Sequence, residues 1–345
     1  MHVREGVAGV ARSPGVTALV GGTATRAEVT AAARPAGPTG ARWAAAVALG
    51  GTGHYAAAAA LLDGLRRDRA VAPALRAHAG VTRASHLRQL GGHRAAAALD
   101  GEALRLALPH AAGDGPGDPW GTGADAAVAD ALTGLAADAL GRADAARAAI
   151  LLDRAAPWCG PAGHRTRVRY GWVRAETALV AGDPAAATAA AREALHGAVA
   201  LGSARHVVKS RLVAAVAAGV AGLPAGDLAA ELDAVAGTAW ADGCLPLYRA
   251  ALQARAALVP DGPPDAVAGG PDAAPDRPRC GHPGADRATA AAASAPVAGP
   301  RHAGASPFDT RSRRTDAEGR RSAVLHTVSV LYTRSDRSGR DLLRE

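Results

Sequence analysis

From Ala41 to about Val259, apolar positions recur at three- and four-residue spacing, the interval that keeps side chains on one face of an α-helix. The run GDPAAATAAAREAL, at 182–195, shows the arrangement most clearly. The segment before it closes in AETALVAG, so Gly182 stands where a helix ends through a left-handed backbone. Asp183 is placed to cap the next helix, and Pro184 fits its first turn, where a missing N–H breaks no hydrogen bond. Ala187, Ala191 and Ala194 then form a smooth stripe against which another helix can lie closely, with Leu195 as a bulkier anchor.

The same order of elements occurs in ALGGTGHYAAAAALLDGL (48–65), RQLGGHRAAAALDGEAL (88–104) and DALGRADAARAAILLDRA (138–155). Aligned on Gly53, Gly91, Gly141 and Gly182, the steps are 38, 50 and 41 residues. The long step contains HAAGDGPGDPWGTG (110–123), read as an inserted loop. A fifth unit is expected over Arg205–Gly237, with its turn at AGLPAGD (221–227), and a last helix over Ala239–Leu258. A single hairpin with one apolar face cannot bury it alone, so stacking of like hairpins completes the core. The expected fold is therefore all-α, a solenoid of stacked helical hairpins spanning 41–259.

The flanks read differently. Residues 1–40 carry scattered Gly, Pro and Thr without a firm helical period and are expected to be disordered. Residues 260–305, rich in Pro, Gly, Ala and Asp, bury too little apolar surface to offset chain entropy and read as a disordered linker. A basic tail follows at 306–345, and within it 322–332 fits a helix or a strand equally.

Composition narrows the function classes. Apolar residues make up 49% of the 345, but alanine dominates them, with one Phe, one Met and five Trp. Stability then rests on many small contacts, with leucine as the main bulky filler. The net charge of +8 comes almost wholly from arginine, since Lys209 is the sole lysine, and it is spread along the chain. It reads either as the codon bias of a GC-rich genome or as attraction to an anionic partner. Three cysteines build no disulfide framework, and the longest apolar run, Leu212–Leu223, is too short to cross a bilayer. A soluble cytoplasmic protein is the expectation.

Enzyme signatures are absent from the sequence. No Walker phosphate loop, G-x-S-x-G elbow or H-E-x-x-H occurs, and GGTGHY (50–55) reads as a hairpin turn rather than a phosphate cradle. Cys280 with His282, and Cys159 with His164, are half-sites without a second half, so neither metal nor cofactor is expected. Asp63, Asp68, Asp100 and Glu102 read as charges on helix surfaces.

The chain resembles the tetratricopeptide-repeat family. The matching residues are Gly53-His54-Tyr55 followed by Ala58, and Gly182-Asp183-Pro184 followed by Ala187 and Ala194-Leu195. The likeness extends over about 220 residues, in degenerate repeats longer than the family's usual 34. It implies a right-handed α-solenoid acting as a non-enzymatic adaptor that takes a peptide or helix of another protein in a concave groove. Family geometry would turn Arg169, Trp172 and Glu176, in HRTRVRYGWVRAE (164–176), towards that groove. Arg205 and Lys209, in ARHVVKSRL (204–212), would join them from the next unit. A tryptophan beside cations suits a binding hot spot for acidic residues or a terminal carboxylate. The competing reading is a solvated helix face with Trp172 in the core. An alternative role is regulation at nucleic acid or the transcription machinery, through Arg311, Arg313, Arg314, Arg320 and Arg321 of the tail.

Overall fold

A computed structural model describes residues 14–112, 120–160 and 163–259. These residues form thirteen α-helices, one 3-10 turn at Leu108–His110 and no strand. The helices are α1 (Pro14–Gly21), α2 (Arg26–Ala32), α3 (Thr39–Gly51), α4 (Tyr55–Arg67), α5 (Pro73–Gln89), α6 (His93–Ala107) and α7 (Ala124–Leu140). They continue as α8 (Ala145–Cys159), α9 (His164–Ala181), α10 (Pro184–Leu201), α11 (Ala204–Val220), α12 (Ala225–Ala241) and α13 (Leu245–Leu258). None of them is long and apolar enough to cross a membrane.

Helices α3–α12 are five consecutive hairpins. The first helices α3, α5, α7, α9 and α11 pack on one another in succession, and α11 packs on α13. Each second helix, from α4 to α12, packs on its own partner and on the first helix of the next unit. Neighbour thus completes neighbour, as the helical repeat pattern requires. The fold is an all-α stack of hairpins.

Turn chemistry explains the hairpins locally. Between α9 and α10, Gly182 takes φ +81° and the Asp183 side chain accepts a hydrogen bond from the Ala186 N–H at 2.9 Å. Pro184 opens α10, and Ala187, Ala191 and Ala194 are buried along it. Gly171 of α9 meets this stripe at Ala194, an approach that only small residues allow. The third hairpin turns in a different way. Gly141 keeps a right-handed backbone, and the left-handed residue is Ala143, at φ +63°. Gly141 instead leaves room for the His93 ring, which occupies the space a Cβ would need. The expected last helix is also two elements, because Gly243 at φ +65° separates α12 from α13.

The expectation of disorder over 1–40 fails from residue 14 onward. Helix α1 buries Val16, Leu19 and Val20 in a cluster with Trp43 and Trp120, and α2 opens with a capping box between Thr25 and Glu28. The three apolar positions of α1 have helical spacing, but eight residues are too few to stand out among glycine and proline. The loop expected at 110–123 likewise ends inside the core, since Trp120 is 4% exposed and donates to Thr17 Oγ1 at 3.2 Å. Residues 1–13, the linker 260–305, the tail 306–345 with its segment 322–332 and tail arginines, and the Cys280–His282 pair lie outside the described residues.

Candidate interaction site on the inner face

The first helices carry most of the buried polar side chains, and α9 and α11 bring the anticipated residues together. Trp172 of α9 is half-buried, donating from Nε1 to Ser210 Oγ at 2.8 Å. Its ring stacks on His206 of α11, with centroids 5.5 Å apart and planes 22° from parallel. Lys209 Nζ lies 5.8 Å from the Trp172 ring centre and 3.5 Å from Glu176 Oε1. An ammonium over an indole face is attracted by the ring's negative quadrupole. Trp172 therefore sits between the two readings, neither free on a solvated groove nor sealed in the core.

Two of the anticipated residues hold other posts. Glu176 is wholly buried, so its carboxylate positions Lys209 instead of meeting solvent. Arg205 donates to the Val20 carbonyl at 2.6 Å and to the Val47 carbonyl at 2.9 Å. It thereby satisfies carbonyls near the C-terminal ends of α1 and α3. Ser203 Oγ adds a bond to the Gly21 carbonyl at 3.2 Å. Gly51 admits the Arg205 guanidinium and Gly50 the His86 ring, each in space that a Cβ would fill. The glycines of GGTGHY thus serve close packing as well as the turn. Burial lowers the Arg205 pKa to about 10. Arg205 is an internal brace, an assignment hidden from the sequence while α1 was read as disordered.

The sequence reading missed an ionic network in the centre of the stack. Arg88 of α5 bonds Asp100 of α6 and, through Nε at 2.9 Å, Asp138 of α7. His93 Nδ1 lies 3.1 Å from the same Asp138 carboxylate. Asp100, expected on the surface, is fully buried, and Gly134 of α7 leaves space for the Asp100–Arg88 pair. Burial, reinforced by Asp138, raises the Asp100 pKa to about 8 against the pull of Arg88. One hint was available: α7 is apolar on nearly every side yet carries Asp130 and Asp138. A buried helix with carboxylates must find them partners.

A second group surrounds Asp130. Arg165 bonds this carboxylate together with the Trp120 and Gly121 carbonyls. Arg169 Nη1 approaches Asp130 Oδ1 at 3.5 Å, and His78 Nδ1 stands 4.0 Å from Oδ2. Burial works to raise the Asp130 pKa, but Arg165 and Arg169 prevail and hold it below the usual carboxylate range. Burial and Arg83, Arg205 and Arg169 lower the His86 pKa to about 3. His206 is held well below its ordinary value by burial, with Arg205, Arg165 and Arg169 acting in the same sense.

Among the described residues, no three His, Cys, Asp or Glu side chains gather closely enough to hold a metal ion. Cys159 is buried and donates its thiol proton to the Ala155 carbonyl, whereas His164 is exposed. What this face of α9 and α11 offers chemically is charge and aromatic surface: Arg169, Trp172 and Lys209, backed by Glu176. No family model, curated protein or solved structure matches the chain.

Proposed function

We propose that the chain is a non-enzymatic adaptor, tetratricopeptide-repeat-like and cytoplasmic, that receives a peptide or helix of another protein on its inner face. The observation that carries this reading is the meeting of successive first helices at Trp172 and Lys209, where Lys209 stands 3.5 Å from Glu176 and 5.8 Å from the Trp172 ring. Both side chains keep partial exposure on a surface otherwise fixed by internal bonds. Such an anchor loses little side-chain freedom on binding. Arg169, Trp172 and Lys209 would meet the partner, while Glu176 and Arg205 hold that surface in shape. The enriched hot-spot types, tryptophan and arginine, are the ones present.

The test is affinity for a defined partner recovered by cross-linking with the full chain. Trp172→Ala and Lys209→Gln should each weaken that affinity at least about tenfold, roughly 1.4 kcal/mol, while the helical circular dichroism spectrum is retained. Unchanged affinity in both variants would overturn the assignment.

A further inference from the structure

The stack ends on half a hairpin. Helix α13 packs on α11 and α12, the place a first helix takes in each earlier unit, and no second helix follows it among the described residues. Its burial shows what is missing. Along α13 only Ala251 and Ala254 are buried, whereas α11, in the same position one unit earlier, buries eight residues. Leu245, Tyr248 and Leu252 recur at three- and four-residue spacing on the opposite side of α13, with Leu245 47% and Leu252 43% exposed. Trp240, at the end of α12, is 62% exposed, and its ring meets Tyr248 with centroids 5.1 Å apart. Arg255 and Asp233, 3.5 Å apart, join the two helices farther along the same seam. Terminal units of a helical stack need a polar outer face, and this one is apolar.

The chain itself supplies a matching segment. Beyond Val259, bulky apolar residues concentrate in 322–332, which lies outside the described residues: Val324, Leu325, Val328, Val330, Leu331 and Tyr332. Wound as an α-helix, all of these but Val330 fall on one side, as a second helix requires. Charge complements the fit. Residues 225–244, which form α12 and the turn after it, contain Asp227, Glu231, Asp233 and Asp242 and no basic residue, while Arg320, Arg321 and Arg334 flank the apolar run. Reach is not limiting. About sixty residues separate α13 from the run, and fewer than about ten extended residues span the length of a 14-residue helix. A tethered segment also meets its site at roughly millimolar effective concentration, so a modest interface suffices.

We propose that the open seam of α12 and α13 is a docking surface for the chain's own segment 322–332, which lies along α13 as the missing second helix of a sixth hairpin. Its apolar side covers Leu245, Tyr248, Leu252 and Trp240, and its flanking arginines meet the carboxylates of α12. This surface shares no residue with the pair Trp172 and Lys209, so the docking and the adaptor reading can fail independently.

Hydrogen exchange of the full chain, read by mass spectrometry, decides between occupants. Amides over 324–332 should exchange at least about tenfold more slowly than an unstructured chain of that sequence. Leu331→Asp should abolish that slowing and speed exchange over α13, while Val330→Asp, off the apolar side, should leave both as in wild type. Leu252→Asp should release 324–332 and leave α3–α9 protected. Should Leu252→Asp fail to fold, a peptide of residues 318–336 added in excess to Leu331→Asp should restore slow exchange over α13. Free exchange over 324–332 in wild type, slowing that survives Leu252→Asp, or no restoration by the peptide would overturn the proposal. A Val330→Asp effect as large as that of Leu331→Asp would overturn it too, since it marks an extended strand. So would protection of α13 that rises with protein concentration alongside a dimer in sedimentation, the sign of a second copy as occupant.

Discussion

Between α5 and α9 the stack is pinned by buried ions, whereas the interior shared by α11, α12 and α13 is hydrocarbon. In the central region two bonded groups, Arg88–Asp100–Asp138 and Arg165–Asp130, link three hairpins amid an alanine-rich core. In the C-terminal region Leu212, Val213, Val216, Leu228, Leu232 and Val235 interlock, and ion pairs such as Arg211–Glu231 stay at the rim. Alanine faces are smooth, so several registers of one helix on another bury similar area. A charge pair has one satisfactory partner position. Branched side chains fix register by shape, and the C-terminal hairpin can therefore dispense with buried charge. The central ions are best understood as specifying alignment more than as adding net stability.

The sharpest way to break this contrast is to remove one partner of a buried pair. Asp138→Ala should cost about 3–5 kcal/mol in urea unfolding, since it strips Arg88 and His93 of a shared carboxylate. Leu232→Ala in the hydrocarbon region should cost about 3 kcal/mol through lost burial and the cavity left behind. A loss under about 1 kcal/mol in Asp138→Ala would refute the claim that the ions pin the centre.

Thermal melts against pH should separate two opposing effects. His86 titrates at about 3 in the fold against 6.5 free, so between those values the unfolded chain binds more protons and stability falls as pH drops. His206 acts in the same sense. Asp100 titrates at about 8 against 3.8 free, so across that window the folded chain binds more protons and stability falls as pH rises. The two imidazoles, joined by Asp130 with its lowered pKa, outweigh the one carboxyl on the acid side, and of these groups it is Asp100 that acts between 6.5 and 8. The melting temperature should peak at about pH 6–7, with the steeper limb on the acid side. A melting temperature that climbs steadily to pH 8 would contradict the burial of Asp100.

Smaller changes test the turns and the surface. Ala143→Gly should raise stability by about 1 kcal/mol by relieving the left-handed backbone of the third turn. Arg174→Ala, which breaks the exposed pair with Glu193, should change unfolding by no more than about 0.5 kcal/mol.

The hairpins were legible because their signals are local. Gly182, Asp183 and Pro184 specify a helix end, a cap and a helix start within three residues, and the structure uses each for that purpose. The polar interior was hidden because facing is a tertiary property. Asp100 and Glu102 look alike in LDGEAL, yet the first is buried and the second exposed. Arg205 and Lys209 stand one helical turn apart, yet the first bonds carbonyls of α1 and α3 and the second lies beside Glu176 of α9. Their different duties depend on an N-terminal helix too short to announce itself. Trp172 stands out in the sequence for its cationic neighbours, but its stacking on His206 depends on how α9 and α11 align.

The brace at Arg205 also constrains how such a chain can evolve. Tandem arrays commonly lengthen by duplicating a unit, because an extra unit disturbs only the two it separates. Here α11 is fastened to α1 and α3, so an added hairpin anywhere between them would carry Arg205 away from the carbonyls it serves. Arg205, with Ser203 beside it, thus ties the fifth hairpin to the start of the stack, and a lineage that gained a unit would have to give up these bonds.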